Sequence, residues 1–144
     1  MFKFEKPEVT FDTKGIEERF GIGSDAQREW SRIVFDGTRK YLPKVTGQFE
    51  SLSYIHSEQV FDQGELVYPG PYGHLLYEGI VYVDPETGSA WARPGVTKIK
   101  TDKELTYNQE ANPLAGAKWV ERAADDLLPV WEADMQRMID RGLV

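Results

Sequence analysis

The chain has no cysteine, which rules out disulfides, thiolate metal sites and a cysteine nucleophile together. It has only two histidines, His56 and His74, 18 positions apart, and so no histidine-rich cluster. His74 and Glu78 share an i, i+4 spacing that suits two ligands of one metal, but no third ligand accompanies them. Asp84-x-Glu86 likewise lacks the regularly spaced oxygens of a calcium loop. A helix-surface pair and a surface turn are the better readings of these two, so neither a metal nor a cofactor is expected. There is no Gly-x-Ser-x-Gly elbow, and Gly21-Ile22-Gly23 lacks the third glycine and the lysine of a phosphate loop. Glu50, Glu58, Glu65 and Glu78 could supply a carboxylate pair, but among 24 acidic residues such proximity carries little information.

Basic runs are also missing. Lys and Arg number 17 against 24 Asp and Glu, for a net charge of −7, which excludes a surface that grips phosphates. It is compatible with DNA sliding past a surface of like charge. No stretch approaches the ~18 apolar residues of a membrane span, and residues 1–10 lack the apolar core of a signal peptide. The expectation is therefore a protein made and folded in a cytoplasm, with no membrane partner and no catalytic residue.

Against these absences stands a surplus of large aromatics: four Trp, seven Tyr and seven Phe in 144 residues. That length suits one domain. Aromatics at this density fill a core or mark protein contacts, and composition weighs the two equally.

Patterning predicts an α+β fold: a small antiparallel sheet of hairpins against a long helix near the start and a kinked helix at the end. An extended N-terminal arm over residues 1–23 precedes a single domain over 24–144. In the arm, Phe2 and Phe4, then Val9 and Phe11, alternate at period two around Pro7, as in an edge strand. Gly15 to Phe20 adds a short helical turn. Ser24 followed by Gln27 is a capping-box start, and Ala26, Trp30, Ile33, Val34 and Tyr41 continue at helical spacing until Pro43. Thr46-Gly47 is a turn. Tyr54 to Phe61 reads as a strand returning through Gln63-Gly64 to Glu65–Tyr68. Pro71 opens a short helix carrying Tyr72, Leu75 and Leu76, with Gly79 as its stop. Ile80 to Val83 and Ala90 to Ala92 flank the turn Asp84-Pro85-Glu86-Thr87-Gly88 as a second hairpin. Residues 98–100 and 105–107 form a third pair or else an exposed loop. Val120, Ala124, Leu127, Leu128, Trp131, Met135, Met138 and Ile139 hold one helical phase across Pro129. The candidate interface residues are Phe2, Phe4, Val9 and Phe11 in the arm, with Tyr68, Tyr72, Tyr77 and Trp91 around the hairpins.

Three segments carry a resemblance. Tyr41-Leu42-Pro43-Lys44-Val45-Thr46-Gly47-Gln48-Phe49-Glu50-Ser51 is similar to a Pro-x-x-Thr-Gly-x-apolar-x-x-Ser junction, with Phe49 where leucine is usual. Tyr68 to Gly79 resembles an aromatic turn leading into a short helix that ends in an acidic residue and glycine. Trp119-Val120-Glu121-Arg122-Ala123 resembles a Trp-x-Glu-Arg-Ala helix start. In this order they resemble the minor capsid and head–tail connector (neck, tail-completion) proteins of tailed bacteriophages. The likeness runs from Ser24 to the end and leaves the arm outside it. It implies a virion structural protein that forms a homo-oligomeric ring between portal and tail, with genomic DNA passing through without sequence-specific contact. Its partners would be copies of itself and neighbouring connector, portal or tail proteins. Alternatives are a capsid decoration or tail-tube protein, or a stand-alone ligand-binding domain or enzyme using His74 or a glutamate.

Overall fold

The computed structural model describes residues 14–44, 46–70 and 73–144. The fold is α+β: five α-helices and one two-stranded antiparallel sheet among these residues. The order is α1 (Lys14–Phe20), α2 (Asp25–Thr38), α3 (Gln48–Glu58), α4 (Gly73–Glu78), β1 (Ile80–Val83), β2 (Ile99–Glu104) and α5 (Trp119–Asp140), with 3-10 turns at Arg39–Tyr41 and Phe61–Gln63. Of the expected extended arm, the part from Lys14 to Phe20 is helical, and Phe2, Phe4, Val9 and Phe11 lie outside the described residues.

α2 starts where the capping residues place it. The Ser24 Oγ accepts from the amide of Gln27 at 3.1 Å, satisfying one of the free donors of the first turn. Only that half of the capping box forms, because the Gln27 amide nitrogen donates to Ser31 Oγ at 3.3 Å instead. α5 is one continuous helix of 22 residues through Pro129. Proline removes one backbone donor there, and the position is exposed on the helix face away from Trp131.

α2 and α5 pack on each other around Ile33, Tyr41, Leu42, Trp119, Ala123 and Trp131. The absence of a side chain at Gly37 makes this possible, since the indole of Trp131 occupies the space a Cβ would take, 2.5 Å from that point. The aromatics form a connected chain through the interior. Phe35 meets Tyr54 at 5.6 Å, Phe61 at 6.1 Å and Tyr68 at 6.0 Å between ring centroids. Trp119 then receives Tyr68, Phe49 and Tyr77 edge-on at 5.2, 5.9 and 4.7 Å. Most of the aromatic surplus is therefore core.

Two predicted hairpins are corrected. Residues 54–61 are not a strand: most of them belong to α3, whose buried positions are Ser53 and Ser57 while Leu52 and Ile55 face solvent. The serine hydroxyls do the work that the strand was expected to do. Ser57 Oγ accepts from the Val67 amide at 2.7 Å and donates to its carbonyl at 3.0 Å, and Ser31 Oγ donates to the Phe61 carbonyl at 2.7 Å. Residues 64–70 thus run as irregular chain tied to helices, with no ladder partner. β1 pairs not with Ala90–Ala92 but with β2, through Ile80↔Glu104, Tyr82↔Lys100 and Val83↔Ile99. Residues 98–107 form no hairpin of their own, since Ile99 to Glu104 is a single strand.

The start of α5 is stapled at several points to what precedes it. Lys118, at φ 52, donates its amide to the Tyr77 carbonyl at 2.9 Å and its ammonium pairs with Glu78 at 3.3 Å. Arg122 donates to the carbonyls of Ala117 and Leu114 at 2.7 and 2.9 Å and lies over the Tyr41 ring. Asn112 donates to the carbonyls of Arg39 and Leu42 at 3.0 and 2.9 Å, fastening the long loop to the end of α2.

Candidate interface on the sheet and its loop

The expected interface residues separate into three groups. Phe2, Phe4, Val9, Phe11 and Tyr72 lie outside the described residues. Tyr68 and Tyr77 are packed in the aromatic core around Trp119. Burial pushes the Tyr68 phenol up to about 12, and its oxygen shares a hydrogen bond with Thr38 at 3.0 Å. Burial also raises Tyr77, whose ring carries Lys118 on its face. Trp91 is different: 81% of it is exposed, the most of any described large apolar residue.

Its position is built by the loop joining β1 to β2. Asp84, fully buried at the end of β1, accepts from the amides of Glu86 at 2.9 Å and Thr87 at 3.3 Å. It also accepts from the amide and Nε of Arg93 at 3.2 and 2.9 Å, and the other arm of that guanidinium pairs with Glu86 at 2.9 Å. One carboxylate thus closes both ends of the turn over 84–93. Between them the Asp84 amide donates to the Ser89 carbonyl at 2.8 Å, and the Trp91 amide donates to Ser89 Oγ at 3.1 Å. The backbone on both sides of Trp91 is held, so the indole is displayed by a defined loop. Each ~100 Å² of such apolar surface removed from water contributes about 2.5 kcal/mol, so covering the Trp91 indole would be favourable.

Sequence reading recognised the turn at 84–88 but not the part Arg93 plays. No spacing rule links a turn carboxylate to an arginine nine residues on, so only the folded loop reveals the pair. The hydrogen bond from Arg93, and then the Glu86 amide, hold the Asp84 carboxyl down at about 2, against the opposing effect of burial. A carboxyl depressed in the folded state stabilises above its unfolded value near ~3.9 and loses that contribution as pH falls towards about 2. The amide resonances of Glu86, Thr87 and Arg93 are therefore expected to keep their dispersion from pH 8 to 4 and to lose it as pH falls through about 2. An unchanged loop spectrum at about pH 1, below both values, would contradict this account.

Beside the loop lies an apolar cleft of about 250 Å³ between α4 and the sheet, lined by Leu75, Leu76, Ile80, Tyr82, Trp91 and Leu105. Two wider grooves follow seams between packed elements. One, of about 430 Å³, runs along α2 and α5 past Gly37; the other, of about 500 Å³, crosses Trp30, Tyr68 and Tyr77. Of the cations at the rim of the first, Arg32 pairs with Glu29 and Asp36, and Arg137 with Asp134.

His56 and His74 are exposed, Glu78 pairs with Lys118, and Glu50 accepts from Arg39 at 2.8 Å with Lys44 at 3.5 Å. Among the described residues no three His, Asp or Glu side chains are grouped as metal ligands, and no helix is long and apolar enough to cross a membrane. Comparison with protein-family models, curated proteins and solved structures finds no match to this chain.

Proposed function

We propose that this chain is a structural, non-catalytic subunit of a tailed-phage virion, part of the head–tail connector, working as one member of a homo-oligomeric ring. The observation that carries the reading is the exposed Trp91, held on the loop that Asp84 closes, beside an apolar cleft on a two-stranded sheet. Two strands alone are marginally stable in water, and this pair has its second strand almost wholly exposed, so it gains from contact with another protein. The three segments behind the resemblance support it from inside the fold. Thr46-Gly47 starts α3, with Gly47 at φ 83 and Thr46 Oγ1 accepting from the Gln48 amide at 3.3 Å. Gly79 ends α4, and Trp119, Arg122 and Ala123 lock the start of α5. The charge of −7 suits a lumen along which DNA slides without adhering.

The partners in this reading are further copies of the chain, the portal or tail proteins on either side, and genomic DNA without sequence-specific contact. Electron microscopy of virions carrying a gold-labelled copy is expected to show label at the head–tail junction. Label confined to the capsid surface or tail tube, or absent from virions, would sink the proposal.

A further inference from the structure

We propose that the sheet face bearing Trp91, Lys98 and Lys100 in one copy docks on the outer face of α5 in a second copy, at Asp125, Leu128 and Glu132. This inference rests on the ring reading above and specifies its contact.

The first surface joins an apolar knob to positive charge. Trp91 is 81% exposed and stands at the cleft, which Lys98 also lines. Lys100 lies opposite Tyr82, another lining residue, in the register of the two strands. Charge is segregated here: the two lysines lie at the end next to the loop of Trp91. Asp102, Lys103 and Glu104 follow towards the other end of β2, where Glu104 meets Ile80. The second surface repeats the pattern with the opposite sign. α5 buries Trp119, Ala123 and Trp131, whereas Asp125, Leu128 and Glu132 are exposed. Asp125 and Glu132 are seven residues apart, two turns along one stripe and about 10 Å, with Leu128 between them. Neither the two ammonium groups nor the two carboxylates form an ion pair with any described residue.

Charge selects the occupant. The chain carries −7 overall, so copies repel at long range and adhere only where a local patch of opposite sign meets its match. Sheet face against sheet face would bring lysines together, and α5 against α5 would bring carboxylates together. The complementary arrangement of these two surfaces is therefore head-to-tail. Such a contact repeats from copy to copy and closes into a ring where the rotation allows. The flexible lysine stems let the two ammonium groups reach carboxylates two turns apart. The indole fits the same arrangement, because Leu128 and Pro129 offer it exposed apolar surface between the two carboxylates.

Sedimentation velocity of the full chain tests the contact, and the wild-type protein is expected to form oligomers at concentrations up to about 1 mM. Lys98→Glu with Lys100→Glu, and separately Asp125→Lys with Glu132→Lys, are each expected to weaken association at least about tenfold, since like charges then face each other. The variant carrying all four reversals keeps the net charge of −7 and is expected to regain association to within about threefold. Trp91→Ala is expected to weaken it about tenfold. The circular dichroism of every variant is expected to match the wild type, because the altered side chains lie outside the core. A wild-type chain that stays monomeric at about 1 mM, reversals that act on one surface and not the other, or a fourfold variant as weak as either pair would overturn the inference. A protein found at the head–tail junction whose association ignores the reversals would leave the ring reading standing and remove only this contact. Charge-dependent association of a protein absent from the junction would do the reverse.

Discussion

Replacing Trp119 by alanine is expected to lower the free energy of unfolding by about 3–5 kcal/mol, the range for emptying a large aromatic site in a core. Trp119 has no exposed surface and is the one ring that Phe49, Tyr68 and Tyr77 all approach edge-on. It also opens α5, so its loss frees the helix end that Lys118 and Arg122 fasten. Neighbours can relax only partly, because Leu42 and Ala123 beside it are themselves fully buried. Against a total stability of roughly 5–15 kcal/mol, such a loss removes about a fifth of the margin or more. Urea denaturation followed by circular dichroism measures it. A loss below about 1 kcal/mol would mean that the aromatic chain does not hold the fold together as described.

The second large effect is expected at Gly79, where two costs coincide. Its φ of 74° lies in the left-handed region, which costs a residue with a side chain about 1–2 kcal/mol. A Cβ there would also stand 2.7 Å from the Cβ of Ala117 and 3.1 Å from the Tyr107 hydroxyl. Tyr107 cannot give way freely, because its hydroxyl donates to the Leu76 carbonyl. Overpacking of this kind adds about 1–3 kcal/mol, so Gly79→Ala is expected to cost about 3 kcal/mol in all. Gly88→Ala is the matched control: its φ is 68°, but nothing lies within 4 Å of the added Cβ. The difference between the two midpoints in urea isolates the packing cost. Equal losses would show that Ala117 and Tyr107 yield without penalty.

The two long helices were legible because local rules and burial agree there. Ser24 caps α2 as its side chain requires, and the stripe from Val120 to Ile139 keeps one phase because α5 presents one face to α2. At α3 the same rules mislead. Tyr54, Ile55, Val60 and Phe61 favour strands, yet the helix turns Leu52 and Ile55 outward and buries two serines whose hydroxyls bond to neighbouring backbone. A hydrophobic pattern cannot announce a helix whose buried face is polar. The partner of β1 was illegible for another reason: it lies beyond a loop closed by Asp84 and Arg93, a pairing without a periodic signal.

The interface candidates divide along the same line. Sequence identified Trp91, Tyr68 and Tyr77 as aromatic and near turns, and nothing local distinguishes them. The structure separates them, because Tyr68 and Tyr77 are within reach of Trp119 whereas the Asp84 loop carries Trp91 away from every core ring. The sequence by itself determined the α+β class, the two principal helices, the caps and glycine stops, and the acidic balance, all of which follow from local preference and composition. Tertiary structure alone decided which aromatics became core and which strand met β1. Those outcomes depend on contacts between residues far apart in the chain, and local preference carries no information about them.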